Sequence, residues 1–147
     1  MQNTSTWQQR ELTLSAMPRG YHIITDEVEA CLADMPPVQV GVLHVFMMHT
    51  SAGLTINENA DPTVRMDFEE HMNRVCPENA PYFKHTSEGP DDMPAHLKAA
   101  LLDTSLLIPV KDGRLKMGIW QGVYLCEFRN RARPRTLTLT LQGQLEI

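Results

Sequence analysis

Val38-Gln39-Val40-Gly41-Val42-Leu43-His44-Val45-Phe46-Met47-Met48 is apolar at nearly every position, interrupted by Gln39, Gly41 and His44. A run of this kind with no clear period reads as a strand covered on both faces, and so as the centre of a sheet. His49-Thr50-Ser51-Ala52-Gly53 then makes a small-residue turn, and Leu54 to Asn59 resumes an extended, alternating pattern. Upstream, Trp7 to Leu14 carries strand-formers with partial alternation. Downstream, Ser105 to Val110 and Arg114 to Met117 flank an Asp112-Gly113 hairpin turn. Gly122 to Phe128 and Thr136 to Leu141 are the last strands, the latter alternating Thr and Leu as a half-buried strand does.

Helices are scattered among these strands. Asp26 and Glu29 have the spacing of a capping box, with Ile24, Val28 and Leu32 on one face before Met35-Pro36-Pro37. Asp61-Pro62 opens a second helix, Asp as cap and Pro at the first helical position, lined by Val64, Phe68, Met72 and Val75. A long loop from Pro77 to Asp92 leads into a third helix, Met93 to Leu102. The pattern predicts an α+β class, a β-rich two-layer sheet or sandwich with three interspersed helices, in a single domain spanning 1–147.

Composition narrows the function classes. The formal net charge of −5 argues against nucleic acid as partner, which wants a basic face. No apolar run reaches the length of a membrane span and the N-terminus has no signal-peptide core, so no membrane partner and a cytoplasmic location are expected. Cys31, Cys76 and Cys126 are odd in number and widely spaced, which reads as reduced thiols filling core or near-surface positions.

The chemistry concentrates in His85-Thr86-Ser87-Glu88-Gly89-Pro90-Asp91-Asp92-Met93-Pro94-Ala95-His96. A loop that runs into a helix N-terminus offers unpaired N–H groups and a field that favours anions. Imidazoles and carboxylates are also the side chains that bind divalent metals or move protons near neutral pH. Taken singly, each of these residues is explained by turn and cap chemistry, and Asp92 in particular by capping the helix that begins near Met93.

His49, His85 and His96 are the histidines at loops or element ends, whereas His44 lies inside a strand and His22 and His71 read as solvated or helix-flanking. Three imidazoles with an open fourth position is the pattern of a catalytic zinc site, although no pair of histidines has helical i, i+4 spacing. His49 alone is equally well a core-edge histidine bonded to backbone. Glu58, Glu88, Asp91, Asp92 and Glu127 lie near turns or strand ends, as general acid/base groups or partners orienting a histidine do. Gln121 suits a polar contact and Trp120 a plug at the sheet edge. Arg129, Arg131, Arg133 and Arg135 read first as a solvated inter-strand loop, second as a grip for phosphate.

His49-Thr50-Ser51-Ala52-Gly53-Leu54-Thr55-Ile56-Asn57-Glu58-Asn59-Ala60-Asp61, the stretch holding His85, Glu88, Gly89, Asp91, His96 and Lys98, and the stretch holding Gly118, Trp120, Gln121, Gly122, Tyr124 and Glu127 resemble the YjbQ-like family, named for a secondary thiamine-phosphate synthase activity of some members. The resemblance spans nearly the whole chain. It implies a compact, sheet-rich α+β fold assembled as a homotrimer, and a cleft built from the histidine-bearing motifs with a bound metal; imidazole ligands make zinc the first expectation for a divalent ion there, ahead of copper, nickel and iron. Glu58, Glu88, Asp91, Gln121 and Glu127 are the expected catalytic residues; His49, His85 and His96 the metal ligands; Ser51, Asn57, Asn59, Gly89 and Lys98 the substrate- or phosphate-binding residues. The stretch after Glu127 offers no carry-over.

The function expected is metal-assisted catalysis on a small phosphorylated metabolite. A thiamine-phosphate synthase side activity, a transfer in which a thiazole phosphate displaces diphosphate from a pyrimidine, falls within it, and magnesium would suit a diphosphate substrate. The dedicated enzymes for that step resemble (β/α) barrels of about 250 residues, which a chain of 147 does not supply. Metal-assisted hydrolysis of a phosphate or amide is the sister reaction. The alternative class is a non-catalytic metal- or metabolite-binding trimeric module.

Overall fold

The computed structural model describes residues 4–145. In chain order the elements are β1 (Ser5–Thr13), β2 (Gly20–Ile23), α1 (Thr25–Ala33), β3 (Val38–Met47), β4 (Ala52–Glu58), α2 (Pro62–Val75), α3 (Asp92–Leu101), β5 (Ser105–Lys111), β6 (Arg114–Leu115), β7 (Gln121–Glu127) and β8 (Thr136–Leu145). They form one α+β domain with two antiparallel sheets, ordered β1-β8-β3-β5-β6 and β2-β7-β4.

β3 is central in the larger sheet, as the apolar run implies, but it is not covered on both faces within the chain. Leu43, Val45 and Met47 point into the core, while Val40 is 60% and Phe46 39% exposed on the other side. The doubly covered strand is β7. Its Val123 and Leu125 pack into the core between the two sheets. Tyr124 and Cys126 face a second cluster with Tyr21, Ala95 and Phe128, closed by Phe68 and Met72 of α2. The layers therefore run five-stranded sheet, three-stranded sheet, then α2 and α3, while α1 adds Val28 and Leu32 to the core between the sheets. Successive side chains of a strand alternate between its two faces, so one strand can serve two cores.

Local chemistry explains most element ends. Asp61 accepts from Thr63 N at 2.9 Å and Pro62 takes the first turn of α2. Asp112 (φ 50°) and Gly113 (φ 78°) turn the β5–β6 hairpin in the left-handed region such turns require. The capping box read at Asp26 and Glu29 does not form. Ile24 holds the cap position, and Glu29 reaches instead to Leu115 N at 3.3 Å, because α1 packs against the β6 hairpin. β2 gave no clear signal in sequence; its four residues hold a strand by pairing with β7. The cysteines are free thiols, Cys76 and Cys126 buried and Cys31 half-buried. No helix among the described residues is long and apolar enough to cross a membrane.

Candidate metal centre

Helix α3 starts at Asp92, whose side chain is almost wholly buried. One turn later on the same helix face stands His96, and the loop preceding α3 folds His85 back over both. His85 Nε2 lies 2.6 Å and His96 Nε2 3.1 Å from the same oxygen, Asp92 Oδ2. The two rings are 5.3 Å apart between centroids. His85 and His96 keep one side open to solvent, with side chains 46% and 31% exposed.

The tautomer of His96 follows from its other nitrogen. Nδ1–H donates to the Thr50 carbonyl at 2.9 Å, so in the neutral ring Nε2 turns a lone pair toward a carboxylate oxygen. Two lone pairs at that distance need a proton or a cation between them. A backbone carbonyl that takes the far N–H of a histidine is also the usual means of orienting a metal-binding imidazole. The three donor atoms lie within 4.8 Å of one another. Ligands of one tetrahedral zinc stand roughly 3.4 Å apart, given bonds of about 2.1 Å, so the arrangement fits a single ion with an open position.

Arg129, just beyond β7, fastens this centre from behind. Its guanidinium donates to Asp91 Oδ2 at 2.9 Å, to Asp92 Oδ1 and to the Glu88 carbonyl at 2.9 Å, and the Asn130 N–H also donates to Asp91. Burial alone would raise the Asp91 and Asp92 carboxyls. The Asn130 and Arg129 hydrogen bonds at Asp91, and the His85 hydrogen bond with the His96 and Arg129 charges at Asp92, outweigh it and hold both below the usual range.

Arg135, just before β8, makes a second pair. Its Nε and Nη2 grip the two oxygens of Glu127 at 2.7 and 2.6 Å, and Nη2 donates to Ser51 Oγ at 3.0 Å. Glu127 is fully buried and Arg135 nearly so. Arg129 and Arg135 are thus packed partners of carboxylates, which corrects their reading as a solvated loop.

The structure brings together His85 and His96 but not His49. His49 Nε2 accepts from Thr136 N at 2.8 Å, leaving Nδ1 to carry its proton in the neutral ring, and Asp92 completes the cluster in its place. Burial, then the Arg135 charge, pushes the His49 imidazole below its ordinary pKa. His49 still borders the centre. It lines a cleft of about 300 Å³ with His96, and a larger one of about 580 Å³ with Ser51, Glu88, Arg129, Arg131, Arg133 and Arg135.

The other candidate positions fall as follows. Glu88 is exposed at the larger cleft, and its backbone carbonyl accepts from Arg129. Asp91 is held by Arg129, and Glu127 is shut away with Arg135. Glu58 binds Ala60 N and Asp61 N before α2, at 3.1 and 3.0 Å. Gln121 accepts from Gly118 N at 2.7 Å, Asn57 caps its neighbour Glu58 N at 2.9 Å, and Asn59 donates to the Ile119 and Gln121 carbonyls. Lys98 is buried, donates to Asn73 Oδ1 at 2.6 Å and sits 5.7 Å above the Phe128 ring. Burial, helped by Arg19, lowers its pKa. Gly89 turns the loop with φ 102°.

Asp92 is the residue that sequence reasoning placed as a cap and the structure places among the donors. It makes no capping bond, since the cap position belongs to Asp91. Its signal was legible: Asp92-x-x-x-His96 is the i, i+4 pair sought only between histidines.

The fold and the centre define a sheet-rich α+β protein with a two-histidine, one-carboxylate cluster at a helix start. Residues 10–144 match the model of the family described as UPF0047 protein YjbQ-like, and the chain belongs to that family. It is 53% identical to the UPF0047 protein YjbQ of Salmonella typhimurium, over 94% of this chain and 99% of that one. A UPF0047 protein of Synechocystis sp. is 37% identical over 97% and 98%. Among solved structures, a conserved hypothetical protein of Thermus thermophilus matches with TM-score 0.78 and 35% identity, covering 88% of this chain and 97% of that one. A YbjQ-like protein of Sulfolobus solfataricus shares the fold at TM-score 0.83 and 23% identity, covering 95% and 99%.

Proposed function

We propose that the chain is a metal-assisted enzyme acting on a small phosphorylated metabolite, with His85, Asp92 and His96 as metal ligands. The observation that carries the reading is the convergence of two imidazole nitrogens on one buried carboxylate oxygen, with the His96 tautomer set by Thr50. Two nitrogens and one oxygen suit zinc better than magnesium, which prefers oxygen ligands throughout. A divalent ion held there would polarise a phosphoryl oxygen and offset the charge of a departing phosphate.

The chain's own groups do the rest. Arg129 keeps Asp92 ionised and aimed, and the Thr50 carbonyl keeps His96 from rotating. Glu88, exposed at the lip of the larger cleft, is the carboxylate free to take or give a proton. His49, whose Nε2 is taken by the Thr136 N–H, lines the same cleft. Transfer with loss of diphosphate, of the thiamine-phosphate type, is a side activity within this class.

The exposed outer face of the five-stranded sheet supports assembly as a homotrimer. Trp7, Val42, His44 and Leu107 line one apolar trough there, with Trp7 69% and Leu107 65% exposed. A closed cyclic assembly covers such a face on every copy. Light scattering is expected to give a mass of about three chains, and a clean monomer at micromolar concentration would remove that part of the proposal.

Elemental analysis of protein purified without chelator or histidine tag tests the centre. His85→Ala and His96→Ala are each expected to lose the ion and any turnover of phosphorylated compounds while staying folded. Unchanged metal content in both leaves the histidines as hydrogen-bonding groups and overturns the reading. Metal held tightly with no turnover of a phosphorylated panel points to a binding module instead.

A further inference from the structure

The larger cleft, of about 580 Å³, is of a size that takes one small metabolite, and arginines from a single loop form one wall. Their charges are not equivalent. Arg129 is spent on Asp91, Asp92 and the Glu88 carbonyl, and Arg135 on Glu127 and Ser51. Arg131 and Arg133 are exposed and, among the described residues, make no hydrogen bond or ion pair. The positions favoured by sequence for phosphate are engaged elsewhere: Ser51 by Arg135, Asn59 by two carbonyls, Lys98 by Asn73.

Arg131 and Arg133 are alternate residues, and Pro134 restricts Arg133 to extended backbone. The cleft they line also holds Glu88 and His49, and Arg129 connects it to Asp92. Two unpaired guanidiniums therefore line a cleft that is joined to the metal centre through Arg129. In a chain of net charge −5, this is a local excess of positive charge, against which the cleft lining sets the Glu88 carboxylate. Guanidinium matches phosphate oxygens with paired N–H donors, and carboxylates are matched likewise, but a dianion gains more from two such groups than a monoanion does.

We propose that Arg131 and Arg133 are the substrate-recognition pair of this site, and that they grip the phosphoryl group of the substrate while Arg129 and Arg135 stay committed to the carboxylates they already hold. The inference rests on the proposed function for the chemistry next to the cleft, and not for the binding itself.

Calorimetric titration of the full chain, as purified, with inorganic phosphate tests it, with metal content measured on the same samples. Arg131→Ala and Arg133→Ala are each expected to weaken phosphate binding ~10-fold, and the double variant ~100-fold, as loss of a charge-assisted hydrogen bond per residue implies. A Lys pair at the same positions should fall between, keeping charge and losing the fork. Metal content and unfolding midpoint should not move, because neither side chain has a partner in the fold. Equal phosphate affinity in the double Ala variant overturns the inference. So does a metal-loaded parent that binds no phosphate, and in that case the metal reading survives. A metal-free parent that binds phosphate through these two arginines upholds the inference and removes the metal reading.

Discussion

Arg129 and Arg135 leave the same loop and each meets carboxylates, yet the two pairs do opposite things. Arg135 and Glu127 close on each other, bidentate and buried, with both Glu127 oxygens taken inside the protein. Arg129 takes only one oxygen of Asp92, and leaves the other turned toward two half-open imidazoles. The first pair is a clasp between β7, the start of β8 and the Ser51 turn. The second is a clasp with one end left free for chemistry. A buried ion pair thus says nothing about function until each oxygen of the carboxylate is accounted for.

The widest separation between the two pairs is expected from stability. Glu127→Gln leaves the Arg135 charge buried without its counter-charge, which costs about 3–5 kcal/mol. Denaturant titration should show that loss, with metal content of the folded fraction unchanged. A loss under about 1 kcal/mol would mean that the clasp is not what holds the β7–β8 corner.

Asp92→Asn is the matching test at the open end. It keeps the shape and the Arg129 contact but removes the anionic donor, and metal affinity should drop by more than the ~10–100-fold typical of losing a supporting group. Competition with a chelator of known strength measures it. Arg129→Lys should then give a smaller drop, of order ~10-fold, because an ammonium cannot reach Asp91, Asp92 and the Glu88 carbonyl together. If Arg129→Lys weakens metal binding as much as Asp92→Asn does, the two pairs differ less than the geometry implies.

The smallest effect is a pH dependence at His49, which lies between the two pairs. Its folded pKa is lowered by burial and then by Arg135, so the unfolded chain binds the proton first. Its contribution to stability is full above the unfolded value of about 6.5 and is lost as pH falls through the lower folded value. Unfolding midpoints should decline below about pH 6.5 in the parent, and the decline should be shallower in His49→Gln. Identical profiles would place the titration elsewhere.

Local chemistry made much of this protein legible in advance. The apolar run of β3, the Thr-Leu alternation of β8, the Asp112-Gly113 turn and the Asp61-Pro62 helix start follow from neighbours a few residues apart, and the structure carries them at nearly those boundaries, except that β8 continues past Leu141 to Leu145. The density of histidine and carboxylate between His85 and His96 marked the right stretch for the same reason. Tertiary structure decided the rest. β7, not β3, is the strand buried on both faces, because α2 and α3 settle on the smaller sheet. His49 is drawn to the Thr136 amide, and the Arg129–Asp91–Asp92 and Arg135–Glu127–Ser51 pairings join segments far apart in the chain. Such partners are chosen by which elements pack together, and once a charged group is buried the cost of leaving it unpaired fixes the choice; no spacing along the chain encodes that.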